Sequence, residues 1–315
     1  MNAINILMLG GAKRVSIGQM FIDAGKKIGY NVQLFSYELS PNVPIASIAK
    51  VIIGKKWRDA DVETDIINVC KQYDINILLP FVDGAIEVAA RVSQVSGVFA
   101  PVSSPEVAAT MFDKVIAEKA FREAGLPVPL SVDVRYPIIA KPRTGSASKG
   151  IVIINSQKDL DSIENPSNYL FQEYIAEREE YTVDCYADSL GRALAVVPRI
   201  RIEVVGGEVS RTATVDSPEI IEISRRAIDA LNLRGAVTLQ FLKDKTDDRL
   251  MLMEINPRLG GGVVCSVHAG ADIPSLIIRE YLQLPLEPMS YRTNVEIVRY
   301  FAEVVFTHST TDNPR

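Results

Sequence analysis

Leu250 to Gly262 reads LMLMEINPRLGGG, and the fold is decided by how this stretch is read. Four apolar residues enter a strand, and Pro257, which cannot donate to a ladder, ends it. Successive strand residues point to opposite faces, so Glu254 and Asn256 share one side. A carboxylate and an amide oxygen at this spacing form half of a hard-cation site, and Arg258 just beyond adds a planar guanidinium suited to phosphate oxygens. Upstream, Ala236 to Leu242 (AVTLQFL) is a second strand, and the polar KDKTDDR from Lys243 to Arg249 is the loop of a hairpin. With that loop the pairing sets Gln240 opposite Leu252, on the face of Glu254 and Asn256. Three oxygen donors then converge as metal ligands, which points to chemistry on a nucleoside triphosphate.

Two strands ending in E-x-N-P-R, with an amide on the preceding strand, resemble the metal-binding end of ATP-grasp ligases. This group includes biotin carboxylase and the synthetase domains of carbamoyl-phosphate synthetase. Gln240 stands where many members carry a carboxylate, which leaves open how many magnesium ions are held.

Other segments follow in the order that the resemblance implies. Tyr136 to Ile154, YPIIAKPRTGSASKGIVII, is a strand ending in Lys141, a loop of small residues and a second strand. Small residues let backbone N–H groups approach phosphate oxygens, and Lys141 adds a point charge. A Walker A loop is excluded, since here the lysine precedes the loop and a strand follows it. The segment resembles a phosphate-covering loop, implying that Lys141 contacts the α- and β-phosphates and that Ser146 to Gly150, with Ser146 and Ser148, closes over them. Tyr169 to Tyr186, YLFQEYIAEREEYTVDCY, resembles an interlobe hinge. The main chain at Glu173 and Ile175 would then hold adenine and Glu180 the ribose hydroxyls, while Glu177 and Glu179 are solvated. Between Ser103 and Gly125 there is a Ser-Pro-Glu helix start, a second start at Asp113 and a glycine stop. By the resemblance, Lys114 reaches the phosphates from this second helix.

The N-terminal third alternates strand and helix: a strand Ile4 to Leu9, the turn Gly10-Gly11-Ala12-Lys13-Arg14, a helix to Ile28 and a strand Asn31 to Tyr37. This β-α-β opening resembles dinucleotide-binding folds, and an NAD-dependent oxidoreductase is the remote alternative. The full G-x-G-x-x-G is absent. Strands at Ile75 to Pro80 and Val98 to Pro101 continue the pattern. Asp83 and Glu87 lie where such sheets open a ligand crevice, though helix-start acids explain both.

The 315 residues suffice for two domains, and 47% hydrophobic with 23% charged residues is ordinary for a globular protein. A net charge of -5 gives no electrostatic case for nucleic acid or membrane partners. No stretch reaches membrane-spanning length, and an N-terminal strand in place of a signal peptide makes the cytoplasm the expected location. Cys70, Cys185 and Cys265 lack metal-ligand spacing and are expected to be reduced packing residues.

The fold class is therefore α/β with α+β modules. A Rossmann-like domain at 1–105 precedes a two-lobed ATP-grasp domain at 106–306, whose small mobile lobe covers about 130–172, and 307–315 form a tail. The resemblance implies a ligase using ATP and Mg2+ (or Mn2+) to activate a carboxylate as an acyl phosphate for capture by an amine or other nucleophile, with the oligomeric state, a homodimer included, left open. Arg258 and Arg211 are its candidate catalytic residues, the latter holding the acyl phosphate or acceptor. A carbamoyl-phosphate-synthetase-like subunit needing a partner for turnover is the second alternative. His268 reads as a hydrogen-bonded helix or loop histidine rather than a general base.

Overall fold

A computed structural model describes residues 2–131, 135–145 and 149–307. The expectations for Ser146 and Ser148 fall outside the described residues.

The first sheet is parallel, in the order β3-β2-β1-β4, from β1 (Ala3–Leu9), β2 (Asn31–Glu38), β3 (Lys50–Ile53) and β4 (Ile77–Pro80). Helices α1 (Val15–Ile28), α2 (Val62–Gln72) and α3 (Asp83–Ser96) make the crossovers. Strands covered on both faces carry continuous apolar runs, and Ile6 to Leu9 are fully buried. The strand expected at Val98 to Pro101 is reduced to one bridge, Phe99 to Ile77. β3 and α2 were not anticipated.

Ser104 and Asp113 accept backbone N–H bonds at the starts of α4 (Pro105–Phe112) and α5 (Lys114–Glu123), so the double helix start is real. A three-stranded antiparallel sheet follows in the order β6-β5-β7, from β5 (Ile138–Pro142), β6 (Val152–Ile154) and β7 (Tyr169–Glu173); the short α6 (Gln157–Asp161) lies beside β6. Its own apolar cluster is small, with Ile138, Ala140 and Ile154 buried.

The large sheet runs β12-β11-β8-β9-β10-β13 and is antiparallel: β8 (Arg178–Ala187), β9 (Ala193–Val205), β10 (Glu208–Thr214), β11 (Gly235–Asp244), β12 (Leu250–Asn256) and β13 (Glu296–Val298). Alternation holds along β8 and β11, whereas β12 breaks step once at Met253, the extra residue between Leu252 and Glu254. Val183, Cys185, Val237, Leu239, Phe241, Leu252 and Ile255 pack with Ile220, Ile223 and Ala227 of α7 (Pro218–Ala230). Their neighbours in sequence, on the other face, are polar: Thr182, Asp184, Arg199, Arg201, Thr238, Gln240, Glu254 and Asn256. One end of that face is capped by α8 (Val263–His268) and α9 (Ile273–Tyr281), which share an apolar cluster with Ile4, Ile6 and Phe21 of the first sheet and α1. The core is thus continuous across residue 105. The other end of the polar face is left open, and there the site forms.

Gly235 shows how closely these parts fit: its φ is +70° and a Cβ would stand 1.7 Å from the carbonyl oxygen of Pro101. Among the described residues no helix is long and apolar enough to cross a membrane. The three cysteines are buried and free.

Candidate functional site

The hairpin β11–β12 brings the three oxygen donors together, by a register different from the one expected. Gln240 pairs with Glu254, not Leu252, and Thr238 pairs with Asn256, because a bulge separates Gln240 from Phe241. On the Asn256 side of the bulge the offset is two residues, so Gln240, Glu254 and Asn256 keep a common face; across it the offset is one, and Leu252, expected on that face, lies opposite Phe241 and packs in the core. A row Glu254–Gln240–Thr182–Arg199 therefore crosses four strands. Asn256 Nδ2 donates to Glu254 Oε1 at 2.9 Å, and Arg201 donates to Gln240 Oε1 at 3.2 Å. One carboxylate and two amide oxygens make an all-oxygen donor set, which suits magnesium or manganese rather than zinc. Among the described residues no group of three or more His, Cys, Asp and Glu is placed to hold a metal ion, so this set depends on its two amides.

A cavity of about 860 Å³ opens between the small sheet and this polar face. Its wall carries six cations, Lys114, Lys141, Lys149, Arg178, Arg201 and Lys245, against the four carboxylates Glu173, Glu179, Glu180 and Glu254. In a chain of net charge -5, this local excess favours a polyanion. Ile139, Leu170, Ile175, Phe241, Leu242 and Met253 supply apolar wall on which a base can lie.

Lys141 is only 7% exposed. Ala140 and Ile138 point into the small core, so alternation turns Lys141 to the cavity, where its Nζ donates to Gln172 Oε1 at 2.7 Å. Burial pulls its pKa down to about 8, against the opposing attraction of Glu254 and Glu118. Gln172 Nε2 in turn donates to Glu118 at 2.8 Å, and Glu118 also holds Arg122 and Ser131. Glu118 and Gln172 are both buried and were missed in the sequence, where Glu118 reads as one acid among many on a helix. Lys114 Nζ donates to the Gly145 carbonyl at 2.9 Å, and Arg143 pairs with Asp113, so the start of α5 is tied to the end of β5.

Glu173, Ile175 and Glu180, expected to bind the nucleoside, line the same cavity. The Glu173 N–H donates to Leu130 O at 3.1 Å and its carboxylate pairs with Arg249, so this N–H is committed within the fold. Ile175 is buried, and its carbonyl accepts from Arg178 at 2.9 Å. Glu180 is held by Arg178 at 3.2 Å and Arg201 at 3.4 Å. Glu179, expected to be solvated, accepts from Tyr181 at 2.6 Å. That acceptor, after burial, contributes to the raised pKa of the Tyr181 hydroxyl.

A second cavity, of about 290 Å³, adjoins the first and shares Arg201 and Gln240 with it. Arg258 and Asp83 line it, and Arg258 Nε donates to Asp83 at 2.7 Å. Glu87 is engaged by Arg91 instead. Arg199 is 1% exposed and locked by Asp184 at 2.7 Å and Thr212 at 3.0 Å.

Arg211 is not brought to either cavity. It sits at an irregularity of the β9–β10 ladder, pairs with Glu296 at 2.7 Å and is substantially exposed. The guanidinium that does face the three oxygen donors is Arg201, one strand over. Its signal was present in the alternation of Arg199 and Arg201. His268 is exposed at the end of α8 and lines neither cavity.

The glycine turn after β1 does not leave its donors free for a dinucleotide. The Glu38 carboxylate, folded back from β2, accepts from Ser36 at 2.6 Å and from the N–H groups of Gly11 and Ala12. Burial raises its pKa while these bonds oppose the rise. A pyrophosphate at this turn would meet a carboxylate.

The order of elements is a parallel α/β sheet followed by two antiparallel sheets with a lysine-lined cavity between the latter. The architecture is the ATP-grasp fold. Residues 165–304 match a family described as ATP-grasp in the biosynthetic pathway with Ter operon. The chain is 23% identical over 290 residues to biotin carboxylase 1 of Bacillus subtilis (strain 168), covering 79% of this chain and 64% of the relative. It is 30% identical over 200 residues to D-alanine–D-alanine ligase of Acidiphilium cryptum (strain JF-5), covering 52% of this chain and 64% of the relative. The chain thus spans less than two thirds of either curated relative. Among solved structures, the biotin carboxylase domain of the Hydrogenobacter thermophilus 2-oxoglutarate carboxylase superposes with a TM-score of 0.76 at 18% identity. That match covers 93% of this chain and 73% of the other, whose crystals hold magnesium ADP and bicarbonate.

Proposed function

We propose that the chain is an ATP-dependent carboxylate-amine ligase. The observation that carries the reading is the junction of the two cavities. There Gln240, Glu254 and Asn256 converge beside a buried lysine and two guanidiniums.

In this reading the larger cavity takes ATP. The carbonyl of Glu173 and the N–H of Ile175 face the adenine edge, Glu180 accepts the ribose hydroxyls, and Lys141 and Lys114 contact the phosphates. Gln240, Glu254 and Asn256 hold magnesium or manganese, which when bound supplies charge neutralisation at the phosphates. The smaller cavity takes the carboxylate. Its oxygen attacks the γ-phosphorus as the bond to the β-phosphate oxygen breaks and ADP leaves, giving an acyl phosphate. An amine then attacks the acyl carbon, loses a proton and expels phosphate. Arg258, fixed by Asp83, and Arg201 stabilise the charge on the transferred group without reorganising, which is where such sites gain most. A cytoplasmic location and a homodimer belong to the same proposal.

The test is phosphate release from ATP with paired carboxylates and amines, compared between wild type and Glu254→Ala. The expected result is release that requires both partners and falls by about a hundredfold or more in the variant. Wild-type rates in Glu254→Ala would overturn the assignment.

A further inference from the structure

The smaller cavity contains a carboxylate that is out of place in a site for an anionic substrate. Glu208, at the start of β10, reaches across its mouth to Arg14 in the turn before α1, with Nη1 and Nη2 at 3.2 and 3.1 Å from its two oxygens. Arg299, just past β13, donates to the same carboxylate at 3.2 Å and also to the Gly261 carbonyl. Three distant parts of the chain thus build one two-guanidinium site around one carboxylate. Arg14 is only 16% exposed at its side chain, whereas Glu208 is 44% exposed. The arginine is therefore the built-in half, and the glutamate is the accessible half.

Glu208 follows Gly206-Gly207, whose φ values are +58° and +81°, at the tip of the β9–β10 hairpin. Val204 and Val205 beside it are exposed, so little apolar packing restrains the tip. Gly261 leaves the site room: a Cβ there would stand 3.1 Å from Arg14 and 3.3 Å from Glu208. The other guanidiniums of the cavity have partners of their own, Arg199 with Asp184, Arg201 with Glu180 and Arg258 with Asp83. Arg14 and Arg299 are the pair whose carboxylate is carried on an exposed hairpin.

We infer that Glu208 is an internal stand-in for a substrate carboxylate, and that the acceptor of this chain is a dicarboxylate or acidic amino acid. One carboxylate is activated beside Arg258, while the second displaces Glu208 from Arg14 and Arg299. The inference rests on reading the smaller cavity as the acceptor site. It gives the Lys13-Arg14 turn a role that dinucleotide binding does not: a guanidinium fork, matched to a carboxylate, at the amino end of α1.

The experiment is calorimetric titration of the full chain, with and without ATP and magnesium. The ligands are the straight-chain dicarboxylates from malonate to adipate, L-aspartate, L-glutamate and, as monoanionic controls, butyrate and L-glutamine. Wild type is expected to prefer at least one dianion over its monoanionic control. Glu208→Gln, which removes the competitor, should bind it several-fold to about tenfold more tightly, since a partly exposed ion pair no longer has to be broken. Arg14→Gln and Arg299→Gln should each weaken it by about tenfold or more. ATP affinity, titrated alone on the same proteins, should not change with Glu208→Gln. Weaker or equal dicarboxylate binding in Glu208→Gln, or no dianion preference in any of the proteins, overturns the inference. Failure of ATP to bind wild type would instead sink the nucleotide reading of the larger cavity.

Discussion

Replacing Lys141 by methionine should change how stability depends on pH, in a direction and by an amount that the site fixes. Unfolded, this lysine titrates at its ordinary 10.5; folded, burial brings it to about 8. Between those values the unfolded chain binds more protons than the native one, so Lys141 makes stability rise with pH through that window. Below about pH 8 the charged, buried ammonium costs the fold about 3 kcal/mol. Methionine fills the same space without the charge. It also loses the bond to Gln172 and strands a buried acceptor, which costs about 1–3 kcal/mol. The two effects nearly offset at pH 7, so a single measurement there decides nothing. Urea unfolding of both proteins from pH 7 to 10.5 does, because groups common to the two cancel. The stability of wild type relative to Lys141→Met should improve by about 3 kcal/mol across that range. Parallel curves would refute the argument that burial dominates this lysine's ionisation.

Other outcomes follow from the same structure. Glu180→Ala should weaken ATP by roughly 1–3 kcal/mol while leaving inorganic triphosphate binding nearly unchanged, because only ATP has ribose hydroxyls to lose; equal losses by calorimetry would misplace the nucleoside. Asp184→Asn should destabilise the fold by about 3–5 kcal/mol in urea titration, since Arg199 would be left buried and uncompensated. Gly235→Ala should cost more than about 2 kcal/mol, since a positive φ and a contact with the Pro101 backbone both oppose a Cβ; an unchanged unfolding midpoint would contradict that packing.

What could be read in the chain beforehand follows a physical line. Strand alternation fixes faces from local sequence, so Glu254, Asn256 and Gln240 were legible as a set, as were the Asp113 cap and the strand carrying Lys141. The register was not, because a bulge between Gln240 and Phe241 leaves no mark in composition. Arg211 misled for a similar reason: the irregular ladder around it turns its side chain to Glu296. Arg201, two residues from Arg199, faces the site instead. The Lys141–Gln172–Glu118 relay joins residues 31 and 54 positions apart, and Arg14 meets Glu208 across 194. Such contacts are set by how the sheets pack. The glycine turn after β1 is the reverse case, a local pattern whose dinucleotide reading is closed by the side chain of Glu38.

The central claim is that the larger cavity binds ATP through a metal held by Gln240, Glu254 and Asn256. The most direct measurement is the ATP dissociation constant with and without magnesium, for wild type and Glu254→Ala, alongside a melting curve for each. The account predicts that magnesium tightens ATP in wild type by about tenfold or more, and that this gain is lost in a variant that still unfolds cooperatively. Magnesium-independent ATP binding in wild type, or the same magnesium gain in Glu254→Ala, would contradict it.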